Sequence, residues 1–264
     1  MRKTKLMNAK WLISLGLLAF VVGCDIHIGD FGGVEFERTE QLSAPIAAGA
    51  TLTAETQVGS ITVLGSDTTE CSVTATITAK APTQEEAEKL AHKVKIKLEP
   101  EGNDLRLHVE KPEKKRRRSI KVSFDITIPV ETSLQLESNV GQIEVSNIAG
   151  AIRATTNVGE INCTEAASDV DLETNVGEVI VAYSDTAEST FDARLETNVG
   201  DISFAGPPEL SAKVNASTNI GPIETRLPLT VTGKIEKSVH GTIGKGEAKA
   251  TVRLRTNVGS IEIE

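Results

Sequence analysis

A short motif of the form Thr-Asn-Val-Gly-x-Ile recurs along the second half of the chain, and this repetition constrains the fold more than any other feature. Its corner positions are Asn139/Gly141, Asn157/Gly159, Asn175/Gly177, Asn198/Gly200, Asn219/Gly221 and Asn257/Gly259. An earlier copy runs from Gln57 to Ile61, and a degenerate copy with one inserted residue places its glycine at Gly241. From Gly141 onward, successive glycines lie 18 to 23 residues apart. This spacing indicates a structural repeat whose length varies in its loops.

Apolar residues alternate with polar ones on both sides of each motif. Around Gly177, for example, Val170 and Leu172 precede the corner, and Val179 and Val181 follow it. A period of two indicates strands with one buried face. Glycine tolerates positive φ at a corner, and its missing side chain lets neighbouring coils approach each other. Each unit is therefore predicted to be a strand, a tight Asn-Val-Gly corner and a second strand.

Units of this length are too small to bury an apolar face alone, so they are stabilised by stacking on their neighbours. We therefore predict an all-β fold, a β-solenoid or closely related layered β-repeat stack, with the repeats at 134–264. The aligned asparagines are expected to form an amide ladder, and the Thr or Ser before each of them to serve the same turn. A ligand groove lined by asparagine is the alternative. Whether the stack oligomerises through a terminal edge at Ser260 to Ile263 stays open.

The interval between Gly59 and Gly141 breaks the repeat. Thr83 to Glu86 match a helix capping box, and apolar residues follow at helical spacing, which predicts one amphipathic helix at 83–94. Alternating segments around a turn at 101–103 then predict inserted hairpins over 94–128. We expect the helix and hairpins to pack against the N-terminal end of the stack and to cover its open edge.

The N-terminus has the pattern of an export signal. Four cations and no acid within the first ten residues precede an apolar run, Trp11 to Val22, that is short for a membrane span. The run ends in Val21-Val22-Gly23-Cys24, which resembles the lipobox of bacterial lipoproteins, where the Cys is acylated and becomes the mature N-terminus. An ordinary cleaved signal is the alternative. The prediction is a signal peptide at 1–23, a lipidated Cys24 within a tether at 24–34, and an exported, membrane-anchored domain of the bacterial cell envelope at 35–264.

The order of these parts resembles the bacterial putative-adhesin domain of unknown function, a family of β-strand repeats related to the head domains of auto-transporter adhesins. The matching features are the early corner at 58–61, the short acidic helix after Pro82, the extended segment ending in Pro129 and the Gly-x-Ile repeats. The resemblance covers about residues 35–264. It implies a β-repeat fold in the cell envelope with a role in adhesion or envelope-stress signalling, and it supplies no catalytic residues.

Charge and motifs exclude several functions. The net charge of −9 argues against nucleic acid as a partner, because phosphate binding needs a cationic surface. The four histidines are scattered, and the sequence contains no zinc-binding His or Cys motif, phosphate-binding loop or nucleophile elbow. We therefore expect no catalytic residues, no cofactor and no metal.

Acidic side chains lie beside several corners. Glu160, Glu178 and Asp201 form a candidate column, with Glu144, Glu224 and Glu262 two residues further along their own strands. We interpret these residues as a solvated face, with Ca²⁺ or a cationic partner as the alternative. Cys71 and Cys163 lie on apolar strand faces and are expected to be buried thiols, although an exported pair could form a disulfide.

One segment of the chain is strongly basic. It contains six cations within eight residues: Lys111, Lys114, Lys115, Arg116, Arg117 and Arg118. A solvated hairpin tip is the simplest interpretation. The alternative is contact with anionic lipid headgroups or an acidic wall polymer.

These features together predict a non-enzymatic, lipid-anchored envelope protein whose β-repeat surface serves adhesion, binding or scaffolding. Its expected partners are the membrane, through the lipid, and an unknown envelope protein or polysaccharide. An envelope-stress regulatory module contacting a membrane protein is the alternative. A polysaccharide-active β-helix enzyme is a weaker one, because aromatic residues make up only 3% of the chain and Phe124, Phe191 and Phe204 fall on inward-facing positions.

Overall fold

The computed structural model describes residues 33–113, 117–231, 237–244 and 247–264. The predicted signal peptide, Cys24 and nearly all of the tether therefore lie outside the described residues. In the described part, the chain forms two β-sheets and a single short helix. The all-β prediction with a layered repeat stack is confirmed.

The part of the chain before the main run of repeats contains the helix. Its elements are β1 (Val34–Pro45), β2 (Thr51–Val58), β3 (Ile61–Ser66), β4 (Glu70–Ala81), α1 (Gln84–His92), β5 (Lys95–Glu101), β6 (Asp104–Glu110) and β7 (Ser119–Pro129).

The repeat region consists of strands alone. They are β8 (Ser133–Val140), β9 (Ile143–Ile148), β10 (Ile152–Val158), β11 (Ile161–Ala166), β12 (Val170–Val176), β13 (Val179–Tyr183), β14 (Asp192–Val199), β15 (Ile202–Ala205), β16 (Ala212–Ile220), β17 (Ile223–Thr225), β18 (Leu229–Val231), β19 (Ser238–Ile243), β20 (Ala250–Val258) and β21 (Ile261–Ile263).

Each repeat contributes one strand to each sheet. The first sheet has the order β1-β4-β7-β3-β9-β11-β13-β15-β21-β17, and the second has the order β18-β19-β16-β20-β14-β12-β10-β8-β2-β6-β5. In the unit around Gly159, for example, β10 lies in the second sheet and β11 in the first. Ile152 and Ala154 on β10 are buried with Ile161 and Cys163 on β11, so the core is the layer between the two sheets.

The last repeat does not occupy the end of the stack. β20 lies between β14 and β16 in parallel register, and β21 lies between β15 and β17. Ser260 to Ile263 therefore lie in an internal coil. They are not a terminal edge through which the stack could oligomerise, contrary to the expectation from the sequence. The reason is that β19 pairs antiparallel with the outer side of β16, which leaves only the inner side for β20.

The prediction of a degenerate repeat corner at Gly241 is wrong. Gly241 lies inside the continuous strand β19, opposite Val214 of β16, and forms no corner. The inserted residue shifts the motif out of register with the genuine corners. The segment instead forms antiparallel pairs with β16 and β18 at one end of the second sheet.

The insertion extends both sheets instead of forming a separate cap. α1 begins after Thr83, whose hydroxyl accepts a hydrogen bond from the Glu86 backbone N–H at 3.3 Å. The hairpin β5–β6 continues the second sheet beyond β2, whereas β4 and β7 continue the first sheet beyond β3. α1 packs on β1 and β4. The strands thus join the stack edge to edge, because the open sides of β2 and β3 offer unpaired backbone groups.

Candidate functional site: the repeat corner

A column of glycines sets the distance between coils at the corner. Gly141, Gly159, Gly177, Gly200 and Gly259 all have φ between 148° and 155°. A Cβ atom on Gly177 would lie 1.9 Å from the carbonyl oxygen of Gly159, and the neighbouring corners show the same approach. Only glycine fits this contact, which explains why the motif requires it at each turn.

Gly221 departs from the prediction of equivalent corners. It does turn the chain, with a φ of 142°, and a Cβ there would lie 2.0 Å from the Gly259 carbonyl oxygen. However, Gly221 is exposed, whereas the other five corner glycines are half-buried. The reason is that β17 ends the first sheet and β19 continues straight past its own glycine, so a coil contacts Gly221 from one side only. Gly221 therefore ends the column instead of lying inside it.

Beneath the glycines lies a column of buried hydroxyls. Each Thr or Ser before the Asn donates a hydrogen bond to a corner glycine carbonyl in the adjacent coil, at 2.9 to 3.2 Å: Ser138 to Gly59, Thr156 to Gly141, Thr174 to Gly159, Thr197 to Gly177, Thr256 to Gly200 and Thr218 to Gly259. Sequence reasoning assigned these hydroxyls to the turn alone. The missed signal is that they occupy inward-facing positions, where a polar side chain needs a partner.

The asparagines form a continuous amide ladder. Each Nδ2 donates to the Oδ1 of the next coil: Asn157 to Asn139 at 2.5 Å, Asn175 to Asn157 at 2.7 Å, Asn198 to Asn175 at 2.7 Å, Asn257 to Asn198 at 2.7 Å and Asn219 to Asn257 at 3.0 Å. One N–H and one lone pair of each internal amide stay available to a ligand. The ladder is therefore both structural and presented to the outside.

The most distinctive surface of the corner is a row of aliphatic side chains beside the ladder, here called the aliphatic row. Its members are 39 to 66% exposed: Val58, Val140, Val158, Val176, Val199, Val258 and Ile220. Among the described residues, Leu64 is the remaining large exposed hydrophobic side chain. At a strand spacing of about 4.8 Å the row is roughly 29 Å long. The sequence did contain its signal, since a repeated apolar residue stands at a turn, where no core position is expected.

The acidic residues do not form one long column. Glu160, Glu178 and Asp201 occupy equivalent corner positions on successive coils, and burial together with the charges of Glu160 and Asp201 raises the pKa of Glu178. Asp201 Oδ1 also accepts a hydrogen bond from the Ser260 backbone N–H at 2.7 Å.

The three outer acids are divided between two places. Glu262 and Glu224 are direct neighbours, whereas Glu144 is separated from them by the intervening strands β11, β13 and β15. Glu262 also forms an ion pair with Arg226 at 2.7 Å. No three or more His, Cys, Asp or Glu side chains are grouped to hold a metal ion within the described ranges.

The basic segment is not a hairpin tip. Lys114, Lys115 and Arg116 lie outside the described residues. The flanking strand β6 belongs to the second sheet and β7 to the first, so the segment crosses between sheets. Its far end passes α1, where Arg118 Nη2 lies 3.3 Å from Glu86 Oε1, and Arg117 has a φ of 61°. The two strands cannot pair with each other because both sides of each are occupied: β6 pairs with β2 and β5, and β7 pairs with β3 and β4.

A polar cleft of about 550 Å³ opens where β2 and β6 diverge. Their register ends at Ala54 and Leu107, although both strands continue. The cleft contains His108, whose Nδ1 is buried with no hydrogen-bond partner, and Lys111, whose pKa is lowered by burial. These groups suit a small polar ligand better than an apolar one.

Cys71 and Cys163 are free and buried, so they form no disulfide with each other in this structure. Burial raises the pKa of each thiol to about 12, which disfavours the nucleophilic thiolate form at neutral pH. Phe124, Phe191 and Phe204 are buried, as predicted.

Among the described residues, no helix combines the length and apolar character needed to cross a membrane.

Comparisons with known proteins bear on the fold. A family model for Toastrack DUF4097 matches residues 132–264, just over half of the chain. No match to the chain is found among curated proteins. Among solved structures, a putative cell adhesion protein from Clostridium sporogenes ATCC 15579 is 17% identical, with 86% of this chain and 99% of that chain covered and a TM-score of 0.51. A putative adhesin from Bacteroides fragilis NCTC 9343 is 12% identical, with 86% and 97% covered and a TM-score of 0.28. Of these two likenesses, the first shows a shared fold.

Proposed function

This chain belongs to the Toastrack DUF4097 family, and we propose that it is a non-enzymatic, lipid-anchored protein of the cell envelope that uses its repeat corner as a binding surface for adhesion or scaffolding. The observation that carries this proposal is the aliphatic row beside the asparagine ladder. The row spans seven neighbouring strands of the second sheet and the ladder spans six of the same strands, and both face outward.

The chemistry of the corner supports binding of an extended partner. Contiguous exposed apolar side chains rimmed by polar groups are typical of interaction surfaces. The inter-coil hydrogen bonds from the buried hydroxyls and the asparagine amides make this surface rigid, so little conformational entropy is lost on binding. A straight row of apolar groups with amides alongside suits a chain with its own periodic apolar and hydroxyl faces, such as an envelope polysaccharide.

The surface is tested by comparing exposed residues on and off the row. Val176 and Leu64 are equally exposed at 48%, but only Val176 belongs to the row. We expect Val176→Ser to weaken sedimentation of the protein with purified peptidoglycan sacculi, and the triple variant of Val158, Val176 and Val199 to Ser to abolish it. Leu64→Ser should sediment like the unaltered chain. Equal sedimentation of all the variants would contradict a role for the row.

The anchor is supported by the sequence pattern ending at Cys24. We expect cells given labelled palmitate to incorporate label into the unaltered protein and not into Cys24→Ala. The variant should also move from the detergent-rich to the aqueous phase on partitioning. Label in the variant, or none in either protein, would exclude acylation at Cys24.

Surface exposure is a separate question from anchoring. If the protein acts in adhesion, protease added to intact cells should digest it. Protection until the outer layer is opened would instead favour a partner inside the envelope, as in the regulatory alternative.

A further inference from the structure

The polar cleft between β2 and β6 lies at one end of the asparagine ladder. Asn139, the last asparagine of the ladder, lines this cleft together with Gln57 of the neighbouring strand β2. Asn139 Oδ1 accepts a hydrogen bond from Asn157, but its own Nδ2 has no acceptor among the described residues. The ladder therefore ends in a free amide donor at the cleft.

The floor of the cleft is formed where the two strands separate. β2 and β6 are in register only as far as Ala54 and Leu107. The next inward-facing residues, Thr56 and Val109, line the cleft instead of pairing across it. The Thr56 hydroxyl is already used, because it donates to the Val122 carbonyl oxygen at 3.0 Å. The floor is therefore largely apolar.

The walls of the cleft carry both donors and acceptors. Arg106 lies between two carboxylates, with Nη2 3.0 Å from Glu55 Oε1 and Nη1 3.4 Å from Glu101 Oε1. A guanidinium has five N–H groups and a carboxylate has about four lone-pair sites, so these ion pairs leave hydrogen-bonding capacity unused. The walls can therefore bind groups that both donate and accept, as hydroxyls do.

The charge of the lining does not favour an anion. Two cations line the cleft, Arg106 and Lys111, and the carboxylates outnumber them even if His108 is protonated. These carboxylates belong to Glu55, Glu99, Glu101 and Glu137. Lys97 adds no net charge, because it pairs with Glu110 outside the lining. A phosphate or an acidic sugar is therefore disfavoured, and the described residues include no group of acids suited to a metal ion.

Two further groups in the cleft lack the partners that buried polar groups need. His108 Nδ1 is buried and has no hydrogen-bond partner among the described residues. Lys111 is half-buried, and burial lowers its pKa. Buried polar groups without a partner lose free energy relative to their hydrated state. A ligand that brought hydroxyls to these two side chains would remove that loss.

We propose that the polar cleft binds a neutral saccharide unit. A sugar ring has C–H faces and hydroxyl edges, which match an apolar floor between walls of mixed donors and acceptors. The volume of about 550 Å³ is within the range of about 300 to 1,000 Å³ that is typical of small-molecule sites. This inference deepens the proposed function and rests on it for the polysaccharide to which the unit belongs. The cleft holds one end of that chain, and the ladder and aliphatic row hold its continuation.

The proposal is tested with the full chain and trisaccharides of different charge, by saturation-transfer NMR. Tri-N-acetylchitotriose and maltotriose are neutral, trigalacturonic acid is anionic and chitotriose is cationic. We expect a neutral trisaccharide to bind, and trigalacturonic acid to bind about tenfold more weakly or not at all. Failure of both neutral trisaccharides to bind at about 10 mM, or tighter binding of either charged one, would overturn the proposal.

Variants locate the bound trisaccharide. Glu137 lines the cleft, whereas Glu173 has the equivalent position two strands away on β12, and both are exposed. We expect Glu137→Ala to weaken binding several-fold, because a charge-assisted hydrogen bond is lost, and Glu173→Ala to bind like the unaltered chain. Asn139→Ala should also weaken binding, and Asn175→Ala, inside the ladder, should not. Equal effects at the cleft and control positions would place the ligand elsewhere and refute the cleft.

Failure of the cleft and failure of the proposed function are distinguishable. Val176→Ser, on the aliphatic row, should leave trisaccharide binding unchanged, and a loss of binding would place the trisaccharide on the row and overturn the cleft proposal. If trisaccharides bind in the cleft but the row variants sediment normally with sacculi, the cleft stands and the role of the row is refuted. If the row variants lose sedimentation and no neutral trisaccharide binds, the cleft is refuted and the proposed function stands.

Discussion

At the corner glycines, a single added methyl group meets the backbone of the next coil. Gly177→Ala would combine a left-handed φ of 152° with a Cβ 1.9 Å from the Gly159 oxygen. We expect a loss of about 3 kcal/mol or more in unfolding free energy, from overpacking and backbone strain together. Urea unfolding measures it.

Gly102→Ala is the matched control. Gly102 has a φ of 71° and an added Cβ there meets no atom within 4 Å. This variant should lose only the strain contribution, about 1 to 2 kcal/mol. Equal losses at both positions would show that contact between coils is not what selects glycine.

The charge of Glu178 is predicted to destabilise the fold at neutral pH. Burial and the neighbouring Glu160 and Asp201 raise its pKa in the folded state, so the folded chain binds its proton more tightly than the unfolded chain does. The resulting loss of folding free energy is absent below the pKa of Glu178 in the unfolded chain and complete above its pKa in the folded chain. Glu178→Gln should therefore raise the Tm at pH 7, by the equivalent of a few tenths of a kcal/mol because the side chain is exposed, and the gain should vanish at about pH 4.

Glu173→Gln is the control, because it is expected to change the Tm at pH 7 in the opposite direction. Glu173 lies on the outer face of β12, where its charge interacts favourably with Arg194. This variant should gain nothing at pH 7 and should lose slightly. Thermal melts of the two variants across pH separate the effect of the acidic stack from a general effect of removing a carboxylate.

At the scale of the element, neighbouring coils are joined by side-chain hydrogen bonds as well as by the backbone hydrogen bonds of the sheet. Thr156 Oγ1 donates to Gly141 O at 3.2 Å from a buried position, whereas the adjacent Thr155 faces outward on the same strand β10. Thr156→Val should cost about 1 to 2 kcal/mol, because it removes a buried hydrogen bond.

Thr155→Val is the matched control, because it replaces the same hydroxyl with a methyl group at a position that lacks this hydrogen bond. Thr and Val also have similar strand propensity. Its unfolding free energy should stay within about 0.5 kcal/mol of the unaltered chain. If both variants unfold at the same urea concentration, the hydroxyl column contributes nothing to the cohesion of the stack.

At the scale of the whole molecule, the last two strands hold the final coils together. β20 joins β14 to β16, and β21 joins β15 to β17. Ending the chain at Lys249 would therefore remove an internal coil. We expect amide hydrogens of β16 and β19 to lose protection from exchange in this truncated chain, while those of β8 to β13 keep it. Retained protection in β16 would mean that the final coils fold independently of β20.

Much of the local structure follows from short-range patterns. The alternation around each corner, the glycine at positive φ and the Thr83 cap depend on residues within one repeat or one helical turn. The amide ladder joins different coils, but stacking of aligned repeats is enough to bring equivalent asparagines together. The residues of the aliphatic row and of the hydroxyl column belong to the same motif, but the sequence analysis did not predict either feature. The hydroxyls follow the period-two rule, since Thr174 continues the buried phase of Val170 and Leu172. The aliphatic row does not follow it, since Val176 has the same phase but is exposed where the corner interrupts the alternation.

The sequence by itself therefore determined the repeat unit: a strand, an Asn-Val-Gly corner and a strand, with one capped helix and a basic segment in the insertion. Only the tertiary structure decided the order of coils, with β20 and β21 inserted before β16 and β17 so that the Gly221 corner ends the column, and the placement of β6 and β7, which flank the basic segment, in different sheets. The physical reason is that every coil offers nearly the same alternating face and the same open edges. Many orders satisfy the local rules equally, and only pairing between distant strands selects one of them.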